Sequence, residues 1–259
     1  MRLALGVEYD GTDFCGWERQ KQGRTVQGCI ETALSKVADH PVRVITAGRT
    51  DAGVHALGQV IHFDSDADRT LRSWVFGANS FLERDVSVTW ARSVSDEFHA
   101  RFAACWRHYR YVILNRAVRP GLMGAKVSWC CLPLDERRMA EAAVHLIGEH
   151  DFSSYRAMAC QAKNPVRTIH RLDVDRRGEL VTVDIVANAF LHHMVRNIAG
   201  VLMAIGAGKY PPAWAGQVLD ARDRTVGGVT APAQGLYLVG VGYPDQFDIP
   251  VPDSDPLFG

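Results

Sequence analysis

Residues 42–63 read VRVITAGRTDAGVHALGQVIHF. Two β-branched, apolar runs, 42–47 and 58–63, predict strands, and the polar, glycine-containing stretch between them predicts a loop. Gly48 and Gly53 bracket Arg49, Thr50 and Asp51 and permit tight turns around them. An aspartate in such a loop is commonly just a turn residue. The other reading is a carboxylate displayed for chemistry, with Arg49 two residues away and, in an extended segment, on the same side.

Working outward, the neighbouring segments mix strands and helices in the same way. Segment 2–9 alternates Leu3, Leu5 and Val7 with smaller or polar residues, which predicts a half-buried strand, and Asp10-Gly11 marks a turn. Thr25 caps a helix whose Val26, Ile30, Ala33, Leu34 and Val37 trace one face. A helix over about 70–80 and a strand over 86–94 follow. Further on, 106–114 (WRHYRYVIL) predicts a strand and Asp135 opens a helix that Gly148 ends. Segments 168–175 and 180–187 predict a hairpin turning at Arg177-Gly178. Residues 190–206 predict a helix with Phe190, Met194, Ile198, Val201 and Ile205 as its stripe, off which Arg196 lies. A short helix near 213–221 and a strand at 236–242 complete the pattern. Hairpins outnumber crossovers, so the expected class is α+β with a mainly antiparallel sheet. The best boundary falls near 104, giving sub-domains 1–104 and 105–259.

A chain of 259 residues can bury a sizeable core, and 47% hydrophobic with 22% charged residues excludes disorder, collagen and coiled coil. No apolar run reaches the roughly 18 residues of a membrane span. Glu8 and Asp10 interrupt the N-terminus before a secretory core forms, so a cytoplasmic protein is expected. The six cysteines form no C-x-x-C pair and are expected to be reduced thiols. The P-loop, G-x-G-x-x-G and H-E-x-x-H are absent, so neither a nucleotide cofactor nor a metal is expected. A metal-dependent hydrolase on Asp51, His55, His62, His192 and His193 lacks a supporting ligand spacing.

The balance of 29 basic and 29 acidic residues by itself argues against a nucleic-acid partner. It is not a local balance. Residues 1–104 hold 12 basic and 14 acidic residues, 105–210 hold 15 and 9, and 211–259 hold 2 and 6. Between Phe98 and Leu134 there is no acid, while Arg101, Arg107, Arg110, Arg116, Arg119 and Lys126 alternate with Phe102, Trp106, Tyr109 and Tyr111. Arginine forks among aromatic platforms suit phosphate contacts and base stacking. On the strand 106–112, Arg107, Tyr109 and Tyr111 share a face, as a nucleotide cleft would need.

G-R-T-D-A-G-V-H (48–55) resembles the catalytic signature of the tRNA pseudouridine synthase A family. Y-D-G-T-D-F-C-G-W-E-R-Q (9–20), R-T-V-Q (24–27), F-H-A-R-F (98–102), R-H-Y-R-Y (107–111), N-A-F-L-H-H-M-V-R-N (188–197) and G-L-Y-L-V (235–239) match in order. The likeness spans roughly residues 5–245. It implies a pseudouridine synthase fold: two mixed α/β sub-domains sharing a mainly antiparallel central sheet, with the active cleft between them. It also implies a homodimer and a cofactor-free isomerisation of uridine to pseudouridine at positions 38, 39 and 40 in the anticodon stem-loop of tRNA.

Residue by residue, the resemblance makes Asp51 the nucleophile, Tyr109 the aromatic that stacks on the target base, Arg49 the residue that helps flip the nucleotide out, and Arg196 the basic partner of the carboxylate. F-H-A-R-F and A-C-Q-A-K (159–163) fall on tRNA-contacting stretches. Phe98, His99, Arg101, Phe102, Gln161 and Lys163 are therefore expected RNA contacts, together with Arg24, Arg107 and Arg110. The chemistry suits these residue types. The reaction breaks N1–C1′, turns the base and rejoins it through C5, so it needs a carboxylate that attacks or removes a proton. A cation beside that carboxylate favours its ionised form. A non-catalytic tRNA binder on the same scaffold would have no need of Asp51, whereas a related synthase acting at other tRNA positions would.

Overall fold

A computed structural model describes residues 1–158, 160 and 162–252. The chain folds as two compact units, Met1–Arg107 with Tyr237–Gly259, and His108–Leu236. Within each, the strands pair mainly antiparallel, and five α-helices are seen among the described residues.

In the first unit, β1 (Arg2–Tyr9) pairs antiparallel with both β3 (His55–Asp64) and β4 (Val86–Val94). This two-sided pairing changes the half-buried expectation: Leu3, Ala4 and Leu5 have no exposed surface. The predicted strand over 42–47 shrinks to β2, Ile45–Thr46. The cause lies in the neighbouring amides. Val42 N–H donates to Ser35 Oγ (2.9 Å) and Val44 N–H to Glu31 Oε1 (3.2 Å), so side chains take the place of a strand partner. Helix α1 (Val26–Ala38) begins where expected, with Thr25 Oγ1 accepting from Gly28 N–H, and buries Val26, Ile30, Ala33, Leu34 and Val37. Helix α2 (Leu71–Phe81) is capped in the same way by Thr70.

The second unit holds β5 (Trp106–Asn115, its first two residues counted with the first unit), β6 (Ser128–Cys130), α3 (Glu136–Val144), β7 (Gly148–Asp151), β8 (Val166–Arg177), β9 (Leu180–Ala187), α4 (Met194–Gly206) and α5 (Trp214–Ala221). Its strands run in the order β5-β9-β8-β7, with β6 parallel to β5. The three- and four-residue strands β6 and β7 are too short to show a period in the sequence. Helix α3 ends at Val144, and Gly148 opens β7 instead of ending the helix. Helix α4 starts four residues later than predicted. His193, at φ 61°, sits in the left-handed region and breaks the helical path, so Phe190 is not part of the stripe.

The last strand, β10 (Leu236–Gly242), corrects the second boundary. It runs parallel to β3, pairing Tyr237 with His55 and Leu238 with Ala56, so the chain returns to the first unit and does not stay in a sub-domain 105–259. Among the described residues no helix is long and apolar enough to cross a membrane.

Candidate active site

The Asp51 loop joins β2 to β3 in the first unit, and the main chain around it is held from several sides. Trp17 N–H donates to Thr50 O (3.0 Å), and Val54 N–H closes a turn onto Asp51 O (3.2 Å). The Tyr9 hydroxyl bonds Thr50 Oγ1 at 2.7 Å in a buried site, and Gln59 Nε2, which has no exposed surface, donates to Gly48 O at 2.7 Å. Burial pushes the Tyr9 phenol up to about 12, partly offset by its bonds to Thr50 and Gln59, so at neutral pH it is a hydroxyl. Gly16 stands at φ 98°, and a Cβ there would lie 2.9 Å from Thr50 O, so the 9–20 segment presses directly on the carboxylate loop. Gly11 N–H donates to His55 Nδ1 (3.0 Å), fixing the other end of that segment. Asp51 itself is half-buried.

Arg49 projects outward, 65% exposed, and its guanidinium forms a two-pronged pair with Glu18, Nη2–Oε1 at 3.0 Å and Nε with Oε2. Arg107 extends from the start of β5 and donates to Ala47 O (3.2 Å) and Arg101 O (2.8 Å), so it braces the carboxylate loop against the 98–102 segment.

The 98–102 segment separates into two kinds of residue. Phe98 has no exposed surface and packs against His62, Tyr243 and Phe247. This corrects its expected RNA contact: a side chain in the core cannot touch RNA without unpacking it. His99 Nδ1 accepts from the N–H groups of Arg101 and Phe102 (both 3.2 Å), and its ring lies 4.3 Å from that of Phe102. Arg101 and Phe102 are thereby displayed, Phe102 at 77% exposure. Beneath them, His62 Nδ1 accepts from Ala100 N–H (3.1 Å); burial, with His99 beside it, pushes the His62 imidazole down to about 4.

Arg24 is committed elsewhere. It forms a two-pronged pair with Asp85, meets Glu83 at 3.1 Å and lies over the Phe14 ring at 4.2 Å. Two acids hold its guanidinium, so it anchors the chain before α1.

In the second unit, Tyr109 on β5 is 9% exposed, and Phe190 stands edge-on to it at 5.1 Å. Local spacing misread Phe190 as helix stripe; the break at His193 releases it for this contact. On the alternate residues of β5, His108 Nε2 meets Asp184 at 2.6 Å and Arg110 Nε donates to it at 2.9 Å. Burial alone would raise the Asp184 carboxyl, but those bonds overcome it and hold the group below its usual range. Arg110 is thus tied into a half-buried cluster with His108 and Asp184.

Arg196, in the first turn of α4, donates from Nε to Ala231 O (2.8 Å), and Ala231 N–H returns a bond to Arg196 O (3.1 Å). Lys163 is exposed, and Gln161 lies outside the described residues.

A carboxylate on a locked loop, an aromatic braced by a second ring and an anchored arginine are parts suited to work on a nucleotide base. The model of the tRNA pseudouridine synthase family matches residues 6–103 and 142–244. The chain belongs to that family and is an isomerase that converts uridine to pseudouridine in tRNA. It is 61% identical over 250 residues to the tRNA pseudouridine synthase A of Nitrosococcus oceani, covering 96% of each chain. It is 57% identical over 258 residues to that of Alcanivorax borkumensis, covering 99% of this chain and 97% of the relative. The enzyme of the same name from Vibrio vulnificus is 54% identical, with 100% and 98% covered.

Proposed function

We propose that the chain isomerises uridines 38, 39 and 40 in the anticodon stem-loop of tRNA, with Asp51 as the catalytic carboxylate. The observation that carries this is 57–61% identity, over nearly the full chain, to relatives named tRNA pseudouridine synthase A, together with G-R-T-D at 48–51. Asp51 attacks the sugar or the base, or first takes a proton. The N1–C1′ bond breaks, the uracil turns and C5 bonds to C1′. C5 loses a proton as N1 gains one, so atoms balance and no electron is transferred. The uracil must leave its stack first, at a cost of a few kcal/mol. Arg49 enters the helix as it leaves, exchanging Glu18 for RNA. Tyr109, braced by Phe190, offers a face to the uracil, and Arg196 supplies positive charge to the carboxylate.

His99, Arg101, Phe102 and Lys163 are the proposed RNA contacts; Arg107 acts through the loops it braces. The reading places the protein in the cytoplasm with its tRNA, as a homodimer. Light scattering at twice 28.6 kDa supports the dimer, and 28.6 kDa overturns it.

The test is site-resolved mapping of pseudouridine after incubating purified protein with unmodified tRNA transcripts. Pseudouridine confined to positions 38–40 is expected. Product only elsewhere in the tRNA would overturn the assignment.

A further inference from the structure

The segment 228–231 runs antiparallel along the first turns of α4, and each contact lies inside the second unit. Val229 O would lie 1.9 Å from a Cβ on Gly200, Thr230 bonds Asn197, and Ala231 exchanges two hydrogen bonds with Arg196. One further residue draws this stretch together. Arg224 donates from Nη1 to Gly228 O (3.1 Å) and from Nη2 to both Asn197 Oδ1 (3.1 Å) and Thr230 Oγ1 (3.0 Å). Thr230 Oγ1 in turn donates to Asn197 Oδ1 (2.6 Å), which closes a ring of three side chains. Asn197 is buried, at 2% exposure, and its Nδ2 donates to Tyr155 O (2.7 Å). The ring therefore rests on the core of the unit. A guanidinium is suited to the task, because its planar fork serves three acceptors at once.

We propose that Arg224 is a positioning residue for Arg196. By fixing Gly228 and Thr230 it sets where Ala231 O stands, and Ala231 O holds Nε of Arg196 and so sets the direction of the rest of that fork. The proposal rests on the reading of Arg196 as the cation that serves the catalytic carboxylate. Displacing a catalytic group by about 1 Å can cost on the order of a hundredfold in rate, so an indirect anchor has a measurable effect.

The experiment is a double-mutant cycle on the full-length enzyme: Arg224→Ala, Arg196→Gln and the pair, with kcat and KM measured on tRNA. Arg224→Ala is expected to lower kcat at least tenfold with KM within twofold, and to cost under threefold more once Arg196 is already Gln. The same tenfold loss in both backgrounds would overturn the proposal, because Arg224 would then act independently of Arg196. If Arg196→Gln alone leaves kcat unchanged, the reading of Arg196 fails first and takes this one with it. Should Arg224→Ala not fold, Arg224→Lys and Thr230→Val carry the same cycle. Each is expected to lose part of kcat in the Arg196 background only, and equal losses in both backgrounds would again overturn the proposal.

Discussion

Side-chain donors reach main-chain carbonyls in both units, Gln59 and Arg107 in the first and Arg196 and Arg224 in the second, but the first unit adds anchors of the opposite kind. In the first unit, imidazole lone pairs accept from main-chain N–H groups: His55 from Gly11, His62 from Ala100, and His99 from Arg101 and Phe102. In the second, side-chain donors reach main-chain carbonyls: Arg196 holds Ala231, Arg224 holds Gly228 and the Tyr111 hydroxyl holds Pro232. An imidazole that accepts through its lone pair loses that bond when it is protonated. Among these anchors His62 is the one whose imidazole is pushed well below its ordinary range, by burial and the neighbouring His99.

Both regions press on a glycine, and this is where the comparison should show no difference. Gly16→Ala would put a side chain at φ 98° and 2.9 Å from Thr50 O; Gly200→Ala would put one 1.9 Å from Val229 O. Each should lower stability by about 3 kcal/mol or more, read by urea unfolding. A loss below about 1 kcal/mol in either would mean that its loop moves aside freely.

The acid response should divide the two regions. His62 lies well below an ordinary imidazole, so the unfolded chain takes up a proton between pH 6.5 and about 4 that the folded chain refuses. Stability is full above pH 6.5 and falls on the order of 2–3 kcal/mol by about pH 4. His62→Asn keeps an acceptor for Ala100 N–H and should flatten this part of the profile. An unchanged slope would remove His62 as the acid-sensitive anchor.

The smallest effects come from the two tyrosine hydroxyls. Tyr9→Phe removes the bond to Thr50, and Tyr111→Phe removes the bond to Pro232; each should cost about 1 kcal/mol. In kcat the two diverge from stability only if the loops they hold carry the chemistry.

What could be read in the sequence follows how far apart the partners stand along the chain. The Asp51 loop was legible because its glycines and charged residues lie within eight positions, and most helices and long strands showed in their periods. The Arg196 anchor was not. Arg224 meets Asn197 across 27 residues and has no motif of its own, so nothing local distinguishes it from a surface arginine. Phe98 was misjudged because an aromatic beside an arginine reads the same whether displayed, as Phe102 is, or buried. The ion pairs of Arg24 and Arg110 do not show in the sequence because their acid partners, Asp85 and Asp184, stand 61 and 74 residues away.

The central claim is that Asp51 carries the reaction. Asp51→Asn keeps the size of the side chain and removes only its charge, so the unfolding transition should stay close to that of the unaltered protein. Pseudouridine formed per minute on unmodified tRNA at saturating substrate should fall by at least about a thousandfold. A folded Asp51→Asn protein that retains activity within tenfold of the unaltered enzyme would contradict the account.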